Sequence, residues 1–126
     1  MKVVRTDNFI VFLMKDYRSI VVFGNHFEAF YVTLPPKEQD KLLWTLRAIR
    51  TLKIVPSTYL KLITNSSGLY EIRSQLGTNI CRVFCFYSNT TTLILCNGFK
   101  KKNQKTPRKE IEKAERIKSN YYERIN

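Results

Sequence analysis

Two arginines, Arg73 and Arg82, stand on either side of the dipeptide Gly77-Thr78 in the run LYEIRSQLGTNICRVFCFY. If that dipeptide is a two-residue hairpin loop with Gly at its first central position, the register is fixed and Arg73 lies directly opposite Arg82. Like charges facing each other across two strands cost stability, so such a pair is expected where an anion is to be held. A third β-branched run, TTLILC, returns antiparallel and delivers Phe99, Lys100, Lys101, Lys102 and Lys105 to the same end of the sheet. Fixed cations gathered at one place suit an anionic partner.

The rest of the composition agrees with a polyanionic partner. The chain has 126 residues with 22 Lys+Arg against 10 Asp+Glu, a net charge of +12. Half of that excess sits between Lys100 and Lys109, where six basic residues are met by no acidic one. A solvated charged face mixes signs. A surface-bound membrane helix needs a broad apolar face opposite its charge, and this loop has none.

Three cysteines, Cys81, Cys85 and Cys96, lie within apolar strands and read as small buried hydrophobes of a reduced, cytoplasmic protein. Cys81 and Cys85, four apart on a strand, would stand about 13 Å apart, too far to share a metal unaided. No cofactor or metal is expected. FIVFLM is far shorter than a membrane span and is followed by Lys15, Asp16 and Arg18 rather than by a cleavage site.

The elements that must position the cations can be read in order. Residues 1–13 read as an uncertain N-terminal extension, and 14–126 as one domain, large enough to bury a core without staples. SIVVF is the first strand, with Asn25 as cap of a short helix carrying Phe27, Phe30, Tyr31 and Leu34. Pro36 opens a second helix whose stripe is Leu42, Leu43, Leu46 and Ile49, with Trp44 beside it and Pro56 beyond its end. The segment PSTYLKLITNSSG reads as a polar connection. After the three-strand meander and the basic loop, Thr106 is expected to cap a last helix, with Pro107 at its first position and Ile111, Ala114, Ile117 and Tyr121 as its apolar stripe. The fold class is α+β: a small, mostly antiparallel sheet, covered on one face by a helical hairpin, with a C-terminal helix.

This order, and the strings GLYEIR (68–73), ICRVFCFY (80–87) and NGFKKKNQKTPRKEIEKAERIK (97–118), resemble the RelE/HigB superfamily of toxins from type II toxin–antitoxin modules, in its phage-derived HigB-like branch. The resemblance implies a RelE-like fold and a metal-independent endoribonuclease that cuts mRNA on the ribosome. It also implies a cognate antitoxin as partner, of acidic or helix-turn-helix type. In such toxins the 2′-hydroxyl attacks the neighbouring phosphate. Arg82 matches the family's catalytic arginine, Arg73 a basic position on the preceding strand, and Lys100, Lys101, Lys102 and Lys105 its basic segment.

The candidate catalytic residues are therefore Arg82, Arg73, Glu71 and Lys102. The candidate RNA contacts are Lys100, Lys101, Lys105, Phe99 and Arg108. Glu71 shares a strand face with Arg73 and either accepts the 2′-hydroxyl proton or neutralises Arg73. A loop lysine with its pKa lowered by neighbouring cations is the other candidate base. His26, the only histidine, falls at the start of the first helix, away from the basic cluster. Some relatives in that family carry a histidine or tyrosine near the C-terminal end of the site, where this chain has lysine and polar residues; here Tyr121 and Tyr122 would have to fold back to serve. Two other functions remain open: a gyrase-inhibiting ParE-like toxin, and a noncatalytic RNA-binding module.

Overall fold

The computed structural model describes residues 16–102 and 105–125. The expected extension, residues 1–13, lies outside them. Among the described residues five strands form one sheet in the order β1-β5-β4-β3-β2. These are β1 (Ser19–Val22), β2 (Leu60–Leu62), β3 (Leu69–Leu76), β4 (Asn79–Tyr87) and β5 (Thr92–Lys101). Only the β1–β5 pairing is parallel. Helices α1 (His26–Tyr31) and α2 (Pro36–Thr51) precede the meander, and α3 (Arg108–Ile125) follows it.

Helices cover one face of the sheet and part of the other, which is why β4 reads as a nearly continuous apolar run. The α1–α2 hairpin closes one face over Leu42, Ile49, Ile72, Cys81, Val83, Cys85, Leu93 and Leu95. Helix α3 closes part of the other over Leu69, Phe84, Phe86, Ile94 and Cys96, using Ala114 and Ile117. The architecture is the α+β arrangement expected for a RelE-like fold. Among the described residues no helix is long and apolar enough to cross a membrane.

Several local expectations are corrected by tertiary contacts. The connection PSTYLKLITNSSG contains β2, which pairs antiparallel with β3 and places Lys61 opposite Glu71. On α2 the buried stripe is Glu38, Leu42, Thr45 and Ile49, while Leu43 is exposed. Thr45 tolerates burial because its hydroxyl donates to the Lys41 carbonyl. Asn25 precedes α1 without a side-chain cap bond. At the other end of the hairpin, the Arg18 guanidinium donates to the Ile49 carbonyl of α2, to the Leu52 and Lys53 carbonyls just beyond it and to Tyr87 Oη, fastening the β1 end of the chain to the hairpin.

Between β4 and β5 the register shifts. Val83 pairs with Gly98 but Cys85 pairs with Leu95, so Phe84 alone faces two residues, Cys96 and Asn97. This bulge inverts the alternation of everything after it on β5. Gly98 then faces the hairpin, where a Cβ would stand 2.4 Å from the Phe30 ring; only glycine lets α1 lie this close.

Candidate active site

The β3–β4 loop turns on Gly77, whose φ of +63° is the value a primed two-residue turn requires at its first central position. The consequence is the pairing Arg73↔Arg82, with Glu71 two residues earlier on the same face of β3. That face is the one α3 covers only in part. Beyond the helix the sheet is open, and a cleft of roughly 950 Å³ is floored by Glu71, Arg73 and Arg82 and walled by Lys61, Lys101, Lys102 and Thr106. Among the described residues five cations and one carboxylate line it, so it carries a strong positive field.

The carboxylate is already shared. Arg73 Nε and Arg82 Nε lie 3.4 and 3.5 Å from the same oxygen, Glu71 Oε1. Neither Nε makes a hydrogen bond among the described residues. The second oxygen, Oε2, accepts from the Thr106 hydroxyl at 3.1 Å. This contact replaces the expected cap: α3 begins at Arg108, the Pro107 carbonyl accepts the Glu110 and Ile111 amides, and Thr106 serves Glu71 instead. Arg73 is further held by the Ser57 carbonyl, and Arg82 Nη1 by the Cys81 carbonyl. The Arg82 side chain is only 7% exposed, and burial pulls its pKa down, offset by Glu71 and reinforced by Arg73. Arginine still remains protonated at such a site. One carboxylate balancing two guanidiniums leaves a net positive charge that a phosphate would neutralise.

Lys101 follows Phe99 on the cleft side of β5, opposite Ile80. Its pKa is lowered, first by burial and then by Arg82. Lys102 is exposed on the cleft wall.

The bulge distributes the remaining candidates. Lys100 faces the opposite side of the sheet, where its Nζ lies 2.6 Å from Glu38 Oε1 of α2. Phe99 lies opposite Arg82, but its ring is 8% exposed and packs on Phe84 in the α3-side core, so it is no stacking platform. Lys105 and Arg108 are exposed near the start of α3 and do not line the cleft. Tyr121 and Tyr122 pack around Phe86, four residues along β4 from Arg82, and do not reach the cleft. His26 borders a separate surface depression with Lys113 and Arg116. Sequence reasoning missed Lys61, whose signal was a lone lysine between Leu60 and Leu62, and Thr106 as a partner of Glu71.

A basic cleft at the open end of a RelE-like sheet, with paired arginines on its floor, is the setting in which the chain's family is read. Residues 29–119 match the model of the family described as phage-derived protein Gp49-like (DUF891). The chain belongs to this Gp49-like family, which is of the RelE/HigB toxin type. No match was found among curated proteins.

Proposed function

We propose that this protein is the toxin of a type II toxin–antitoxin module and acts as a metal-independent endoribonuclease on mRNA at the ribosome, restrained by a cognate antitoxin. The observation that carries this reading is the shared carboxylate: Arg73 and Arg82 stand opposite each other on the cleft floor with one oxygen of Glu71 between them. Two guanidiniums held in place before substrate arrives cost no reorganisation when charge develops, and donors so fixed favour the phosphorane over the ground state.

In the proposed reaction the 2′-oxygen loses its proton, attacks the adjacent phosphorus and closes a 2′,3′-cyclic phosphate as the bond to the 5′-oxygen breaks. Arg82 and Arg73 bind the non-bridging oxygens. Glu71, engaged by both arginines and by Thr106, positions them and is not the base. Lys101 accepts the 2′-hydroxyl proton, a role that its lowered pKa supports. Lys102 supplies a proton to the departing 5′-oxygen.

Primer extension on a defined mRNA incubated with purified protein, with and without ribosomes, tests the reading. Cuts only in the presence of ribosomes are expected. Intact mRNA in both samples contradicts it, and persistent DNA breaks at gyrase in those conditions would transfer the function to the gyrase-inhibiting class.

A further inference from the structure

The cleft is wider than one phosphate needs. On its α3-side face each of four neighbouring strands contributes a cation: Lys61 from β2, Arg73 from β3, Arg82 from β4 and Lys101 from β5. Neighbouring strands lie about 4.8 Å apart, so the row from β2 to β5 spans about 14 Å across the strand direction, more than a single phosphodiester occupies.

Lys61 is the member of this row without a local purpose. It is exposed on an edge strand, it lines the cleft, and it stands directly opposite Glu71 in the register. Yet Glu71 is turned to the arginines and Thr106, and Lys61 has no ion-pair partner among the described residues. A lysine on an edge strand also serves to discourage strand-to-strand association. That role explains the residue type but not its place inside a cleft that already holds two arginines. Its charge reaches the other side of the cleft, where it contributes to the depression of the Lys101 pKa.

We propose that Lys61 is a subsite cation that grips the phosphate next to the scissile one, so that the cleft takes a single-stranded oligonucleotide whose backbone runs across the strands from β2 to β5. The proposal rests on the assignment of Arg73 and Arg82 to the scissile phosphate. On the β2 side Lys61 holds the flanking phosphate; on the β5 side Lys101 and Lys102 stand at the scissile linkage itself. The contact is to backbone, so it adds affinity and register without reading base identity.

The test uses full-length protein and uncleavable 2′-O-methyl oligonucleotides with one, two, three and six phosphodiesters, with wild type and Lys61→Ala compared over a salt series. Wild type is expected to gain affinity from one phosphodiester to three. Lys61→Ala should weaken the longer oligomers several-fold in every base sequence, lower the salt slope by about 0.7, and leave the single-phosphodiester ligand unchanged. Equal affinities and slopes for the two proteins on the ligand with six phosphodiesters overturn the proposal. So does an equal loss on the shortest ligand, which would put Lys61 on the scissile phosphate, or a failure of wild type to bind any of them. Because the ligands are uncleavable, these outcomes stand whether or not the protein cuts RNA. A cleavage assay with natural RNA on wild type reports separately on the nuclease reading. A matching thermal midpoint for Lys61→Ala, expected for an exposed edge position, shows that folding is not the variable.

Discussion

Arg73 and Arg82 are register partners on β3 and β4, and both reach a single oxygen of Glu71, at 3.4 and 3.5 Å. The pair is stable only because that carboxylate lies between the two charges. Glu71→Gln should therefore destabilise the fold by about 2–3 kcal/mol, since it leaves two partly desolvated guanidiniums facing each other. Chemical denaturation with and without a short polyphosphate checks this. The added polyanion should restore more stability to the variant than to wild type, because it takes the place of the lost charge.

Lys100 and Lys101 are adjacent in sequence and should fail in different ways. Lys100→Ala strands the Glu38 carboxylate on the hairpin side and should cost only about 1 kcal/mol of stability, because solvent screens the part-exposed lysine. Its effect on affinity for RNA should be small. Lys101→Ala should do the reverse, weakening RNA binding while leaving stability unchanged or improved. Parallel denaturation and filter-binding measurements on both variants separate the two roles.

The depressed pKa of Lys101 makes a signed prediction. Burial and Arg82 disfavour its ammonium in the folded state, so the unfolded chain binds more protons between the lowered folded value and the ordinary 10.5. Lys101 thus contributes a penalty that is fully present below its folded pKa and fades as pH rises to 10.5. Stability should rise with pH across that window in wild type and rise less in Lys101→Met. If Lys101 is the base, the cleavage rate should also climb with pH through the folded value. Lys101→Arg, which keeps the charge but cannot deprotonate, should lose that limb.

The paired arginines were legible because a short loop with Gly77 at its turn admits one register, and register fixes which side chains meet. The two-helix cover was legible from the Phe27 and Leu42 stripes and from Pro36. What escaped was set by tertiary partners. Strand β2 is only three residues long and carries a lysine at its centre, so no periodicity marks it. The bulge at Cys96 and Asn97 follows from Phe84 facing two residues and from Asn97 reaching Glu110 on α3, neither of which a local pattern reveals. That one extra residue moved Lys100 to the hairpin face and put Phe99 in the core. Thr106 had the sequence of a helix cap, but a carboxylate 35 positions earlier competed successfully for its hydroxyl.

Gly98 ties this bulge to the hairpin. Gly98→Ala places a methyl 2.4 Å from a ring carbon of Phe30 and 2.8 Å from two others, so the whole ring must move. A loss of about 1–3 kcal/mol is expected. The loss should shrink when the substitution is made in a Phe30→Ala background, as measured by a double-mutant cycle of denaturation midpoints.

The central claim is that Arg82 stabilises charge that appears only as the phosphorane forms. Its most direct test is the single-turnover cleavage rate of wild type and Arg82→Ala on an RNA that wild type cuts, measured beside their affinities for the uncleavable 2′-O-methyl version. The rate should fall by about 10²–10³ while affinity falls less than about tenfold. Rate and affinity falling by the same factor, or an unchanged rate, would contradict it.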